Sequence, residues 1–576
     1  MLDTLIKNGT LIDGSGGTRR RADLGLRDGR IVAVGEISEA RAETIDAEGR
    51  IVCPGFVDAH THYDAQVFWD PALTPSSNHG VTSIVAGNCG FTIAPLSGDP
   101  ADADYLIRML ARVEGMPLGS LQKGVPWGSW ESFGEYLGVL TGKLAINAAF
   151  LVGHTALRRM VMGKRAVNHE ATPEEIEAMQ ELLRVCIREG GLGFSTTLSL
   201  THNDAAGDPV PSRAASDEEL YALADVVSEF PGTSIMLIPG VGAFDEETRE
   251  RMTNLSLRAK RPINWNLLNP VSGQREVIEA QLAVSDYAAE RGARILALTV
   301  PQAMSVRLNF LGGFALDALP GWSSVIGLPV EERKKALTDP ETRKWMNEAA
   351  SSKDAGPMAG LANWGVMTIV EVFKEEHRRF VGMTVAEIAD EEGKQPFDAL
   401  LDLVVADDLK TFFKPPIFGD DDESWQMRGE SWTDERTIVG ASDAGAHLDM
   451  IDTFAFSTQI LGEGRRRTSI TTEEAVHQLT EVPAKLFGLR ERGLIAEGYH
   501  ADIVIFDEET IETGPIHLRY DLPCGSPRLF AEAVGIEHVF VNGREIVRGT
   551  DLTGEFPGKI IRPGIDTDTV TIPAEA

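Results

Sequence analysis

The sequence is poor in the residues and segments that mark several large classes of protein. Only 4 of its 576 residues are cysteine, and no two of them form a CxxC pair, which argues against a disulfide scaffold and suits a reducing compartment. No run of about 18 apolar residues occurs, so no membrane-spanning helix is predicted. The N-terminus has no apolar signal-peptide region, and we therefore expect a cytoplasmic location.

Basic residues are also scarce. The sequence has 54 lysines and arginines and 87 acidic residues, which gives a formal net charge of −33. Because nucleic acids and anionic membranes are bound by basic surfaces, neither is predicted as a partner. The sequence contains no P-loop, no dinucleotide-binding glycine motif and no Gly-x-Ser-x-Gly elbow, which leaves a small-molecule substrate as the expected partner and serine hydrolysis unfavoured. A homo-oligomer remains open.

Both ends of the chain consist of short β-prone runs separated by turn residues. Three of the dipeptides between these runs have sequences that are typical of hairpin turns: Asn8-Gly9, Asp28-Gly29 and Asn542-Gly543. Because half-buried strands need partners, we predict one small β-sandwich assembled from both termini, from residues 1–53 and 489–576, the latter including a polar tail.

Residues 54–488 alternate between strand and helix patterns, which is typical of an α/β protein. Helices are predicted after the capping residues Thr172 and Ser216 and over 275–291. Eight strands with crossover helices predict a (β/α)8 TIM barrel as the catalytic domain, with the strands at 51–59, 81–86, 148–152, 193–196, 234–238, 262–266, 293–298 and 437–441.

A long insertion, residues 305–435, separates the seventh and eighth strands. It holds five tryptophans and a Phe412-Phe413 pair among charged helical segments. Two interpretations stay open: the insertion builds the substrate pocket, as loops at this face of a barrel do, or it is a helical subdomain with its own core.

Four residues with metal-binding chemistry fall at the ends of predicted strands. His60 and His62 are two apart on the first strand, so their side chains point to the same side. Cys89 lies in the turn Gly87-Asn88-Cys89-Gly90 after the second strand, and Asp443 follows the eighth. Zn²⁺ accepts mixed imidazole and thiolate ligands, and a carboxylate there can move a proton to or from water.

These motifs resemble the D-aminoacylase, or N-acyl-D-amino-acid deacylase, branch of the amidohydrolase superfamily. The resemblance rests on four segments and covers nearly the whole chain: residues 54–62, residues 87–90, Val152-Gly153-His154 with Leu157-Arg158, and residues 442–447. It implies that His60, His62, Cys89 and Asp443 surround zinc, and that Asp443 is the general acid/base. It also implies a functional role for His154.

The sequence departs from the branch pattern at three places. Strands five and six lack the histidines that the branch uses as further ligands, and no arginine follows Asp443 closely. We therefore predict one zinc ion per chain. Asn264 and Asn266 on strand six can hydrogen-bond substrate or water there. His202, after strand four, and His447 are further candidates for substrate contacts, whereas the other seven histidines are predicted to be structural: His79, His169, His377, His477, His500, His517 and His538.

The sequence thus predicts a metal-dependent amidohydrolase that cleaves the amide bond of an N-acylated amino acid, or of a related small acyl amide, by a zinc-activated water. Two alternatives remain. The same machinery could open a cyclic amide or imide, or the barrel, having lost two family ligands, could have lapsed into a binding protein.

Overall fold

The computed structural model describes residues 1–240, 242–313 and 315–573. Its strands, in chain order, are Leu2–Leu11 (β1), Arg20–Arg27 (β2), Arg30–Gly35 (β3), Arg41–Asp46 (β4), Ile51–Pro54 (β5), Phe56–Asp58 (β6), Val81–Ala86 (β7), Asn147–Phe150 (β8), Val152–Gly153 (β9), Gly193–Thr197 (β10), Ser234–Ile238 (β11), Ile263–Leu268 (β12), Ile295–Thr299 (β13), Thr368–Glu371 (β14), Phe412–Lys414 (β15), Thr437–Val439 (β16), Ile503–Phe506 (β17), Glu512–Thr513 (β18), His517–Arg519 (β19), Arg528–Phe530 (β20), Ala533–Val534 (β21), Ile536–Val541 (β22), Arg544–Arg548 (β23) and Asp551–Leu552 (β24).

The α-helices, in chain order, are Pro100–Val113 (α1), Leu118–Gly124 (α2), Phe133–Leu140 (α3), His154–Met162 (α4), Pro173–Arg188 (α5), Asp217–Ser228 (α6), Glu246–Ala259 (α7), Arg275–Ala289 (α8), Ser323–Ile326 (α9), Val330–Thr338 (α10), Pro340–Ala350 (α11), Val385–Glu392 (α12), Pro396–Ala406 (α13), Asp422–Trp432 (α14), Phe456–Gln459 (α15), Arg465–Arg467 (α16), Thr472–Leu479 (α17) and Glu481–Leu486 (α18). In the described ranges, no helix is long and apolar enough to cross a membrane.

The two ends of the chain contribute to one nine-stranded sheet. Its order is β24-β23-β22-β17-β5-β1-β2-β3, with β4 also paired to β1. The strand β17 joins the two halves, since it pairs antiparallel with both β5 and β22. The β-rich ends therefore associate, as the need of each strand for a hydrogen-bonded neighbour requires.

Two of the three predicted hairpin turns are confirmed. Asp28-Gly29 connects β2 to β3, and Asn542-Gly543 connects β22 to β23. The prediction for Asn8-Gly9 is wrong, because this dipeptide lies inside the ten-residue strand β1 and forms a bulge at which the pairing with β2 shifts register. Asn8 has a φ of +57°, so the left-handed residue that favours a turn here kinks a continuous strand instead.

The eight predicted strands of the middle segment are all present, and they pair in parallel and in chain order. They form a sheet β6-β7-β8 and a sheet β9-β10-β11-β12-β13-β16. Only Leu151 separates β8 from β9, and one parallel bridge links Thr61 to Ala444 beyond the ends of β6 and β16. Among the described residues, β8 and β9 belong to different sheets, and β6 and β16 are joined only by that one bridge. The fold is therefore α/β with parallel strands, without a continuous ring of paired strands.

The predicted helix starts follow from local side-chain chemistry. Thr172 caps α5: its hydroxyl oxygen accepts a hydrogen bond from the backbone N–H of Glu175, and the Glu175 carboxylate accepts one from the Thr172 N–H. Ser216 caps α6 through the N–H of Glu219. Such caps satisfy backbone donors that have no partner inside the helix, and they set where each connecting helix begins behind the sheet.

The insertion has an apolar core of its own. Its buried side chains, among them Trp322, Trp364 and Phe413, form a cluster separate from the main core. A separate apolar core is what the interpretation as a helical subdomain requires. Trp425 and Trp432 near its end belong instead to the main core.

One buried histidine links the parallel sheets to the C-terminal segment. His79 Nε2 donates a hydrogen bond to the Ala531 carbonyl at 3.0 Å, and Nδ1 accepts one from Thr458 Oγ1 at 2.7 Å. Burial lowers the pKa of His79 from 6.5 to about 4. This role is structural, as the sequence predicted.

We expect this histidine to make the fold acid-sensitive. As the pH falls from 6.5 to about 4, the unfolded chain takes up a proton that folded His79 does not, so the free energy of unfolding decreases by ~3 kcal/mol. Denaturant titrations at several pH values should show this decrease in the wild type and a smaller one in His79→Gln. An equal pH dependence in both proteins would contradict the assignment.

Candidate metal centre

The two histidines of the site lie directly beyond β6, in a segment held between neighbouring strands. The N–H of Thr61 donates to the Val85 carbonyl at 3.0 Å, and the N–H of His62 donates to the Ala444 carbonyl at 2.8 Å. These two hydrogen bonds hold the segment between its neighbours, although the chain bends at Ala59 and His60 directly after β6. His60 and His62 point to the same side and are both buried, as their spacing predicted.

Cys89 is presented by a turn with left-handed backbone. Its φ is +57°, and Gly87 and Gly90 have φ values of +76° and +77°. Asn88 Nδ2 donates hydrogen bonds to the carbonyls of Thr61 (3.1 Å) and Val85 (2.9 Å). The turn is thus anchored on the histidine segment, and the cysteine faces the imidazoles.

Asp443 enters from the other side, beyond β16, with a φ of +51°. The residue before it, Ser442, donates a hydrogen bond to Asp58 Oδ2 at 2.6 Å, and Asp58 Oδ1 accepts the His60 N–H at 3.3 Å. The buried carboxylate of Asp58 on β6 thereby fixes the two segments that carry His60 and Asp443.

The four predicted metal-binding residues lie in one cluster, in which Cys89 and Asp443 each contact the Nε2 atoms of both histidines. Asp443 Oδ1 lies 3.2 Å from His60 Nε2 and 3.7 Å from His62 Nε2, and Cys89 Sγ lies 3.4 Å and 3.6 Å from the same nitrogens. Zinc bond lengths of about 2.0–2.3 Å in a tetrahedron put neighbouring donors about 3.3–3.7 Å apart. The spacing and the donor types therefore fit Zn²⁺.

Asp443 differs from the other three donors. Those of His60, His62 and Cys89 all lie within 4.8 Å of one another, and Asp443 is not part of that set. Its side chain is 25% exposed, whereas those of His60 and His62 are 0% and 3% exposed. This carboxylate is the group of the cluster that substrate and water can reach.

The electrostatics of the cluster suit a bound cation. Burial alone would raise the pKa of the Asp443 carboxyl, but hydrogen bonds from His60 and His62 hold it well below its usual range. Burial raises the pKa of the Cys89 thiol to about 12, so its thiolate form requires a nearby positive charge, which a metal supplies.

Glu114 is the functional-site candidate that sequence reasoning missed. It follows α1, is 3% exposed, and places Oε1 3.4 Å from His62 Nδ1. Burial raises its pKa to about 7, and His62 acts in the opposite direction. The only local signal is a helix end followed by glycine, which gives no hint of a partner 52 residues earlier in the chain.

The strands predicted as five and six of the barrel are β11 and β12, and they carry no histidine, cysteine or carboxylate ligand. Asn266 Nδ2 lies 3.4 Å from His60 Nε2, so this asparagine belongs to the site. On β11, Met236 Sδ accepts the Cys89 N–H at 3.4 Å. A thioether and an amide thus face the cluster from these strands.

His447 and His202 lie near the cluster, and their contact with substrate stays a prediction. The His447 N–H donates to the Glu114 carbonyl at 2.6 Å, and its Nε2 is 4.0 Å from Glu114 Oε2. His202 Nδ1 shares a hydrogen bond with Thr197 Oγ1 at 2.8 Å. Burial lowers the pKa of His202 to about 3, and the charges of His447 and His62 act in the same direction.

Two other predicted residues are engaged elsewhere. His154 is fully buried, with Nδ1 2.9 Å from Thr196 Oγ1 and Nε2 2.7 Å from Glu219 Oε1. Asn264 Nδ2 donates to the Ile235 carbonyl at 3.2 Å. These contacts support a structural role for both side chains, and their contact with substrate stays a prediction.

A cavity of about 570 Å³ lies beside the segments that carry Glu114 and His447. Gly115, next to Glu114, and Met450, three residues beyond His447, form part of its wall, and the insertion forms another part. Four of its side chains are unusually exposed for large apolar or aromatic residues, as expected at a binding surface: Leu118 (37%), Leu311 (42%), Phe373 (44%) and Tyr520 (56%). Lys410 and Asp449 are the charged residues among the described lining.

Histidine, cysteine and aspartate donors at the carboxyl ends of parallel strands define a metal-dependent hydrolase of the α/β class. The chain belongs to the amidohydrolase family, whose model matches residues 43–349 and 362–547, and within it to the D-aminoacylase branch. It is accordingly a hydrolase of C–N bonds other than peptide bonds.

Three relatives illustrate the similarity. D-aminoacylase of Alcaligenes xylosoxydans xylosoxydans is 28% identical over 97% of both chains, and N-acyl-D-glutamate deacylase of the same organism is 30% identical over 97% of this chain and 96% of the relative. The structure of N-acyl-D-glutamate deacylase from Bordetella bronchiseptica, solved with zinc and a phosphonate inhibitor, is 26% identical, with a TM-score of 0.65 over 97% of this chain and 99% of that one.

Proposed function

We propose that the protein is a zinc-dependent deacylase that hydrolyses the amide bond of an N-acyl-D-amino acid. The observation that carries this proposal is the cluster of His60, His62 and Cys89, whose donor atoms lie within 4.8 Å of one another, with Asp443 Oδ1 3.2 Å and 3.7 Å from the two histidine nitrogens. Relatives aligned over nearly the full length bear the names of N-acyl-D-amino-acid deacylases.

His60, His62 and Cys89 would hold the ion, with Asp443 as a further ligand. When bound, zinc lowers the pKa of a water and polarises the amide carbonyl. Asp443 would accept a proton from the attacking water and pass it to the leaving nitrogen, a role that its partial exposure favours. Asn266 would donate a hydrogen bond to the substrate oxygen, where negative charge develops.

We infer one zinc ion per chain. A second tightly bound ion needs further histidine, cysteine or carboxylate ligands, and β11 and β12 offer Met236 and Asn266 beside the cluster instead. Glu114 and His447 are 4.0 Å apart and do not, among the described residues, form another close set of three metal-binding side chains.

The cavity beside the segments that carry Glu114 and His447 gives a proposal for the substrate. Its exposed apolar side chains would hold an apolar group of the substrate, either the acyl chain or the amino-acid side chain. The parallel strands in chain order support a (β/α)8 barrel over 54–488, and the single nine-stranded sheet supports one composite β domain built from both termini, whose predicted form as a sandwich needs a second sheet packed on it. A cytoplasmic location and the lack of nucleic-acid or membrane partners stay predictions.

The proposal is tested with zinc-replete protein and a panel of N-acyl D- and L-amino acids with short and long acyl groups, together with cyclic amides. We expect amine release from the D-isomers, faster for apolar substrates, and loss of activity after chelation that zinc restores. Ring opening alone would support the cyclic-amide alternative. No zinc binding and no turnover would support the binding-protein alternative.

A further inference from the structure

Glu114 is a buried carboxylate beside a candidate zinc ligand. It caps the C-terminus of α1, and its side chain is 4% exposed. Oε1 lies 3.4 Å from His62 Nδ1, while Nε2 of the same ring faces Cys89 Sγ at 3.6 Å and Asp443 Oδ1 at 3.7 Å. The two nitrogens of His62 thus face different partners.

We propose that Glu114 is a positioning residue that fixes the His62 ring for zinc. At 3.4 Å from Nδ1, its ionised carboxylate can act only as an acceptor, so it favours the tautomer of His62 with the proton on Nδ1 and leaves the lone pair of Nε2 for the ion. A carboxylate on the remote nitrogen of a metal-binding histidine also raises the basicity of the ligand. This inference rests on the proposed zinc site.

The other histidine has no such partner. Among the described residues, His60 Nδ1 is buried without a hydrogen-bond partner, and its ring contacts Asp443, Cys89 and Asn266 through Nε2. Glu114 is therefore the carboxylate that can hold a ligand ring from behind in this cluster.

The backbone at Glu114 adds a second link. Its carbonyl accepts the His447 N–H at 2.6 Å, which ties the end of α1 to the segment that begins with Asp443. Gly115 follows with a φ of +57°, and a Cβ there would lie 2.2 Å from Met450 Cε. The positive φ favours glycine here, and the end of the flexible Met450 side chain packs against it, so the helix end and the Asp443 segment are in close contact at Glu114 and Gly115.

The test compares the zinc affinity of the wild type with that of Glu114→Gln, measured by competition with a chromogenic chelator. We expect ~10- to 100-fold weaker binding in the variant, the usual cost of removing such an outer partner. Glu290→Gln, which changes an exposed residue that likewise caps a helix C-terminus, is the matched control and should bind zinc normally.

The outcomes separate this inference from the proposed function. If the wild type binds no zinc, the proposed function fails. If the wild type binds zinc and Glu114→Gln binds it equally well, only the role of Glu114 is wrong, and a lower melting temperature with unchanged zinc affinity leads to the same conclusion. Should the variant not fold, a crystal structure of the zinc-loaded wild type decides: we expect Nε2 of His62 on zinc, and Nδ1 on zinc would overturn the inference.

Discussion

Replacing Asp443 by asparagine is expected to lower kcat by ~10³-fold or more, because the variant loses the group that transfers the proton. The fold should survive, since asparagine tolerates the left-handed backbone that Asp443 adopts at a φ of +51° better than most residues do. Zinc should still bind through His60, His62 and Cys89. The measurement is steady-state hydrolysis of the best N-acyl-D-amino acid, with zinc content determined on the same sample.

A matched control separates this effect from a general loss of charge. Asp422 lies on α14, and its side chain is fully exposed, so Asp422→Asn should retain wild-type kcat and zinc content. Activity of Asp443→Asn within a few-fold of the wild type would show that another group moves the proton.

Removing His62 is expected to empty the metal site. The cluster offers only three mutually close donors among the described residues, so His62→Ala leaves two of them with Asp443, and zinc affinity should fall by more than the ~10- to 100-fold that loss of an outer partner costs. Zinc content after dialysis, measured by atomic absorption, should drop from about one ion per chain to near zero. Hydrolysis should be lost with it.

His169→Ala provides the control, because His169 is an exposed residue whose ring is hydrogen-bonded locally, to the Val167 carbonyl. It should keep its zinc and its activity. Zinc retained in His62→Ala after dialysis would show that further residues bind the ion and that the proposed set of ligands is incomplete.

Local sequence patterns were sufficient for much of this fold. The eight parallel strands and the helices after Thr172 and Ser216 are where the sequence predicted them, because apolar runs and capping residues act over a few positions. The error at Asn8-Gly9 has a physical cause. A left-handed asparagine favours a turn locally, yet β1 pairs on both sides, with β2 on one and with β4 and β5 on the other, and this pairing keeps the strand continuous through the bulge.

The candidate site, like the fold, was predicted from the sequence only in part. His60, His62, Cys89 and Asp443 were found because each follows a strand, and parallel strand ends meet at one edge. Glu114 was missed because it comes from a helix end whose position depends on tertiary packing. For His154, sequence did not reveal that Thr196 and Glu219 occupy both ring nitrogens.

On β11 and β12, where the branch pattern has histidines, neutral side chains face the cluster instead. Asn266 faces His60 Nε2, and Met236 contacts the backbone of Cys89. A neutral amide can orient water or substrate without binding a second ion tightly. The site that remains is compact, and it depends on the two histidines of one segment.

The central claim is that one zinc ion, held by His60, His62 and Cys89 with Asp443 beside it, makes this chain an N-acyl-D-amino-acid deacylase. The most direct test is a titration of metal-free protein with zinc during continuous measurement of amine release. If one zinc ion is sufficient, we expect the activity to rise linearly with added zinc and to saturate at one zinc per chain. Activity that appears only as a second zinc binds, or never appears although zinc is bound, would contradict it.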